Sequence, residues 1–332
     1  MSNGTTGNAP GKAFKKKDKI SIITTFYNAK DFIATALESV RKQKVDPTFE
    51  IEYVIVDDLS PDESRQIVEK FMKANKLNGD WRLISPDKNL GCGGARRFGI
   101  EHATGGFFMF LDADDYYIND DFVKRAHIDI TDSKSDIVEY GIVFNHPNGD
   151  KQNHTVPKQI LIDNDPHTAE IALFRDNIIK FNVWTKIYRR SIVESYTYSD
   201  QRTFEDVMTI PVWVSNAKRI LIMPNTEINY RAAGGSIIRT NWMDTRLGTI
   251  SAIASHFERF KDDYDLLKAM YSRSMIDIEA MLNNHSSENE GFNEMSRLNT
   301  YMLKYLYPDT WKDITYNIDE EEDVEDLTGK TV

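Results

Sequence analysis

The chain has 332 residues, 40% hydrophobic and 28% charged, with a formal net charge of −11. That length can bury a sizeable core in one large domain with an appendage, or in two domains, and the acidic balance argues against a general nucleic-acid-binding surface while leaving room for a local basic channel. The single cysteine, Cys92, excludes an internal disulfide and a thiolate zinc cluster, and no apolar run approaches the ~20 residues of a membrane span.

Residues 1–18 are rich in Gly, Asn, Thr and Lys and have no apolar signal-peptide core, so they read as a disordered leader of a cytoplasmic protein. Ile20 to Thr25 is β-branched and predicts a first strand. A helix follows from Lys30 to Gln43, with Asn28 and Asp31 spaced as a start cap. Glu50 to Asp57 predicts a second, buried strand that ends in paired acids, Asp57-Asp58. Ser60-Pro61-Asp62-Glu63 then reads as a cap with proline at the first helical position. Trp81 to Ile84 is a short third strand. The glycine-rich Asn89 to Gly94 reads as a loop before a helix from Ala95 to Ala103, stopped by Gly105. The loop lacks the G-x-G-x-x-G order of a nicotinamide fingerprint, because Arg96 stands where the last glycine belongs.

Phe107 to Leu111 is long enough for a fourth strand buried on both faces, and it breaks abruptly into Asp112-Ala113-Asp114-Asp115. Four strands alternating with helices at short spacing predict a largely parallel sheet with helices on both sides. Its polar edge, at Thr24, Asp57 and Leu111, is where open α/β sheets bind ligands. Two nearby carboxylates repel unless a cation or a proton lies between them. Oxygen-only ligands favour a hard ion such as Mg²⁺ or Mn²⁺, often bridged to phosphates.

Beyond Asp115 the pattern predicts a strand over 137–144, a turn at His146-Pro147-Asn148-Gly149 and a return strand near 154–162. A helix is expected over 168–179 and a strand pair over 218–230, with helical sequence from about 245 to 307. Asp319 to Asp326 is an acidic run expected to be flexible.

With these segments in order, the sequence resembles the inverting, nucleotide-sugar-dependent glycosyltransferases of family 2, which have the GT-A fold. The resemblance runs from Lys19 to about Thr240 and rests on Ser21–Asn28, Val54–Ser64, Asn89–Gly105, Phe110–Asp115, Trp184–Arg190, Glu205-Asp206 and Tyr230–Ser236. It implies a Rossmann-like, mostly parallel α/β sheet divided into a nucleotide-sugar-binding half (19–116) and an acceptor-binding half (117–240). A helical module (241–316), suited to the acceptor or to self-association, and an acidic tail (317–332) would follow.

Carried over residue by residue, the resemblance implies that Thr25, Phe26 and Tyr27 line the pocket for the base, with Asp57 or Asp58 receiving base or ribose hydrogen bonds. Arg96 would approach the ribose or the sugar diphosphate. Asp112 and Asp114 match the metal motif for Mn²⁺ or Mg²⁺, Asp114 as the more direct ligand, with Asp115 in support. Asp206 matches the catalytic base, with Glu205 as its helper on the acceptor side. Trp184 and Lys186 match the stretch beside the acceptor, and Arg231 and Ser236 match a segment that folds over the donor diphosphate.

The chain departs from the family at Leu59, where Gly is common, and at Arg97, where Asn is common. The implied donor is a UDP-sugar, and the acceptor a surface polysaccharide or lipid-linked glycan, reached at the inner face of the membrane by peripheral contact. A modified DNA base or a protein would be the alternative acceptor. A Mg²⁺-dependent phosphohydrolase fits worse, since Tyr116 stands where Thr or Val is usual. An inactive glycan-binding module would require the metal or base residues to be lost, and they are present.

Overall fold

The computed structural model describes residues 17–146, 149–200 and 204–231, with four single positions further on: His256, Asp263, Leu266 and Met270. Residues 1–16 of the expected leader, the Tyr230–Ser236 segment beyond Arg231, the helical module apart from those four positions, and the acidic tail lie outside the described residues; Asp18, placed in the leader, already belongs to the first strand.

β1 (Asp18–Phe26), β2 (Phe49–Asp57), β3 (Trp81–Ile84) and β4 (Phe107–Phe110) pair in parallel in the order β3-β2-β1-β4, so their carboxyl ends leave the sheet on one edge. Ile20, Ile22, Ile23, Val54, Ile55, Val56, Phe108 and Phe110 are buried between layers of helix, as expected for parallel strands covered on both faces. The helices are α1 (Ile33–Arg41), α2 (Ser64–Ala74) and α3 (Gly91–His102). The remaining sheet is mixed. Beyond β5 (Tyr116–Tyr117) and α4 (Phe122–Asp132) come β6 (Ile137–Asn145), β7 (Lys151–His154), β8 (Ile160–Asp163), α5 (Pro166–Phe174), β9 (Lys186–Arg189), the single turn α6 (Arg190–Val193), α7 (Glu205–Asn216) and β10 (Arg219–Arg231). β9 runs antiparallel to both β4 and β6, and so welds the parallel half to the rest of the sheet.

Helix starts are where the local pattern is corrected. Asn28 does not cap α1. It adopts a left-handed φ of 55°, and the N–H groups of Ala29 and Lys30 instead donate to Ser64 Oγ (2.8 Å) and Asp62 Oδ2 (3.2 Å) on the neighbouring loop. Ser60 likewise begins no helix. α2 starts at Ser64, whose N–H donates to Asp62 Oδ1 at 3.0 Å. The glycine-rich stretch is already helical from Gly91. The expected strand pair over 218–230 is one long strand, interrupted in register between Ile222 and Ile228 around Pro224. The return strand near 154–162 is two: β7 pairs with β6, whereas β8 crosses to β10. No helix among the described residues is long and apolar enough to cross a membrane.

α3 ends at His102 on an extended Ala103, ahead of Gly105, and the glycine serves packing instead. A Cβ there would sit 2.7 Å from the Ser21 backbone nitrogen and 2.8 Å from the Lys19 carbonyl oxygen. Neither backbone atom can move without disturbing β1. Gly105→Ala is therefore expected to cost about 1–3 kcal/mol, read as a lower urea midpoint at unchanged m-value.

Candidate active site

The site is built on the edge where β1, β2 and β4 end. At the β2 exit, Asp57 and Asp58 are both buried, and each is occupied locally. Asp57 accepts from the Ser60 N–H (2.8 Å) and from Arg65 (3.2 Å). Asp58 accepts from the N–H groups of Leu90 (2.7 Å) and Gly91 (2.9 Å), so its carboxylate caps α3 from outside the helix, where the exposed N–H groups favour an anion. At the β1 exit, Thr25 is partly buried and Phe26 lies in the core at 3% exposure, leaving Tyr27, 52% exposed, as the aromatic ring open to solvent.

Arg96, carried inward by α3, is buried. Its Nη2 donates to Asp112 Oδ1 (2.5 Å), and its Nη1 donates to Tyr198 Oη (3.2 Å) and to Glu205 Oε1. One guanidinium thus joins the β4 exit to the start of α7. Cys92, one turn earlier, has its thiol pushed well above the usual range by desolvation, against the pull of Arg96.

Asp112, Asp114 and Asp115 follow β4, each offering an oxygen within 4.8 Å of the others. Burial and the charge of Asp112 push Asp114 up to about 6, and burial with its two acidic neighbours pushes Asp115 well above the carboxylate range. Asp115 Oδ1 accepts from the Arg231 N–H (2.9 Å), while its buried Oδ2 has no hydrogen-bond partner among the described residues. Crowded carboxylates with an orphaned oxygen fit a divalent cation, which would relieve the repulsion and fill the missing contact. Asp115 therefore belongs with Asp112 and Asp114, a membership that its adjacency alone did not reveal.

Across from this cluster, α7 begins with Glu205 and Asp206 directly after Phe204, which is held at a left-handed φ of 56°. Burial and then the charge of Glu205 raise the Asp206 pKa, and the charge of Asp112 also reaches it, so the two acids share one field. Pro211, inside α7, has no N–H to offer the Val207 carbonyl. That carbonyl is bonded instead by His256 Nε2 (2.8 Å), which arrives from far along the chain and is itself buried.

Two expected acceptor residues prove to be framework. Lys186 is 1% exposed, and its ammonium donates to the carbonyls of Lys180 (2.6 Å) and Asn182 (2.8 Å) and to Thr185 Oγ1 (2.9 Å), with Glu139 at 3.6 Å. It has no reach left for an acceptor. Trp184, 5% exposed, stacks parallel on Tyr230 at 5.5 Å and props the end of β10. Arg231 lies beside the cluster, its guanidinium over the Phe32 ring at 5.2 Å. Ser236 is outside the described residues. Tyr198, which steadies Arg96, carried no signal in its local sequence.

A sheet of this order with an aspartate cluster at its parallel edge defines a GT-A type α/β protein, and solved structures of that type superpose on it. A Staphylococcus aureus TarS fragment, residues 1–349, in complex with UDP-GlcNAc gives a TM-score of 0.54 at 20% identity, covering 92% of each chain. The mannosyltransferase PcManGT from Pyrobaculum calidifontis, in complex with GDP-Man and Mn²⁺, gives 0.54 at 14% identity, covering 89% of this chain and 88% of that one. Residues 21–197 match the Glycosyl transferase family 2 model, and the chain belongs to that family. It is 32% identical over 215 residues to the poly(ribitol-phosphate) beta-N-acetylglucosaminyltransferase TarS of S. aureus strain Mu50. That match covers 64% of this chain and 35% of TarS, so the chain spans about a third of that relative's length.

Two outcomes follow from this geometry. Because the folded-state pKa of Asp114 is raised, its ionisation weakens the metal-free protein as pH climbs from the ordinary carboxylate range through about 6. Asp114→Asn should then stabilise the metal-free protein at pH 7 by about 1–3 kcal/mol, and wild-type affinity for Mn²⁺, measured by titration calorimetry, should fall as pH drops through that same window. His256→Ala leaves the Val207 carbonyl buried and unpaired, and should lower unfolding free energy by about 1–3 kcal/mol in a denaturant titration.

Proposed function

We propose that this protein transfers a sugar from a nucleotide-diphosphate sugar, a UDP-sugar and first of all UDP-GlcNAc, to an acceptor hydroxyl with inversion at the anomeric carbon. The observation that carries this reading is the Arg96 bridge, which ties Asp112 to Glu205 and so brings Asp206 to the same edge as the aspartate cluster. The TarS relative named above, and its complex with UDP-GlcNAc, support the choice of donor.

Asp206 is the base. It receives the proton of the acceptor hydroxyl as that oxygen forms its bond to the anomeric carbon, while the bond from that carbon to the diphosphate oxygen breaks and its electron pair leaves with UDP. A carboxylate whose pKa is raised toward neutrality by burial and by Glu205 is well matched to that task. Glu205, held by Arg96, supplies the field and keeps the first turn of α7 in place. Asp112, Asp114 and Asp115 would hold Mn²⁺ or Mg²⁺, which when bound supplies Lewis-acid stabilisation of the leaving diphosphate. Tyr27 offers its ring to the base, and Arg231 places positive charge beside the diphosphate. The acceptor is a hydroxyl of a surface polysaccharide or lipid-linked glycan, the chemical class named in the TarS relative being a polyol phosphate polymer.

Screening UDP-, GDP- and dTDP-sugars for nucleotide release, with and without Mn²⁺, tests the donor and the metal together. Release from UDP-GlcNAc that needs Mn²⁺ and disappears in Asp114→Ala is expected; equal, metal-independent release by both proteins would refute the site. Asp206→Asn should keep donor affinity within about threefold while lowering turnover by 10²–10⁴, roughly the worth of a positioned general base.

A further inference from the structure

We propose that Leu59 closes with Tyr27 on the nucleobase of the donor, and that Leu59 sets how tightly the base is held. This rests on the donor reading given above. β1 and β2 leave the sheet side by side, tied by the Asp58 N–H to the Phe26 carbonyl (3.0 Å) and by the Asn28 N–H to Ser60 Oγ (3.3 Å). Each exit turns through a left-handed residue, Asn28 at φ 55° and Leu59 at φ 61°. Asparagine visits that region readily and glycine freely, whereas leucine meets a steric penalty there.

Leu59 gains no core burial in return. It is 42% exposed, and Tyr27, one residue beyond the end of the adjoining β1, is 52% exposed. A large apolar residue kept in a strained backbone and left in water is a feature found at ligand clamps. Tyr27 follows β1 and Leu59 follows β2, and the aspartate cluster follows β4, on the other side of β1. With neighbouring strands spaced by 4.7–4.9 Å, the two positions are roughly 10 Å apart, which suits the reach of a nucleoside diphosphate from base to phosphates. Flat apolar contact on the ring face is what Leu59 and Tyr27 can supply together. Asp57 and Asp58, both buried and already bonded to backbone N–H groups, add polar edges rather than surface.

The test compares wild type, Leu59→Gly and Leu59→Asn, whose new residues both tolerate a left-handed φ, so that folding is preserved. Thermal melts are run beside calorimetric titrations with UDP and with inorganic pyrophosphate, each in the presence of Mn²⁺. Both variants should melt at or above the wild-type temperature, since the left-handed strain is relieved, and bind UDP roughly tenfold more weakly, the worth of one leucine's contact surface, with pyrophosphate affinity unchanged. UDP affinity equal to wild type in both variants would overturn the grip, as would an equal loss for UDP and pyrophosphate. A wild-type protein that binds pyrophosphate but no nucleotide would remove the donor reading and the grip with it.

Discussion

The interaction on which the site depends is the buried fork of Arg96. A guanidinium taken out of water costs several kcal/mol unless its donors are matched by fixed acceptors, and here Asp112, Tyr198 and Glu205 provide them from three separate parts of the chain. The arrangement also works in the other direction. The edge collects Asp112, Asp114, Asp115, Glu205 and Asp206 around Arg96 and Arg231, and without the nearby guanidinium charge the pKa values of Asp114 and Asp206 would rise further. Negative charge still exceeds positive charge there. That imbalance is what makes the edge receptive to a hard cation and leaves Asp206 able to take a proton.

Much of the parallel half was legible in sequence because its signals are local. Runs such as Ile20 to Thr25 and Phe107 to Leu111 admit few readings other than buried strand, and the break into Asp112 announces an edge. Helix starts were less legible because their caps come from elsewhere. Asp58 caps α3 from the β2 exit, and Ser64 and Asp62 receive the N–H groups ahead of α1. A pattern that scans neighbours along the chain cannot find a cap delivered across thirty residues. The strand pair expected over 218–230 is instead one strand, β10, which carries Pro224 within an irregularity in register.

The site shows the same division. Asp112, Asp114, Glu205 and Asp206 stand in the order that the family resemblance requires, and the fold brings them to one edge. Lys186 matches the family stretch equally well, yet its role is decided by Glu139 and by the carbonyls around it, which turn its charge inward. Tyr198 steadies Arg96 from a segment with no motif at all. Sequence order reveals which charged groups are present, but whether each faces solvent or core is settled by partners far away. Left-handed residues at Asn28, Leu59 and Phe204, all bordering this edge, show the backbone bent to hold the arrangement.

The bond from His256 to the Val207 carbonyl separates two boundaries that are easily confused. The match to the family model ends at residue 197, before α7 begins, while the Val207 carbonyl that Pro211 leaves open is answered by His256, 49 residues further on. The stretch that the family model matches and the stretch that α7 leans on therefore differ. A fragment trimmed to the recognisable region would lose the helix that bears Asp206, and one trimmed just after β10 would keep that helix with a bare acceptor in its apolar surroundings. A side chain from beyond the stretch that the family model matches would then govern how firmly the first turn of α7 is held.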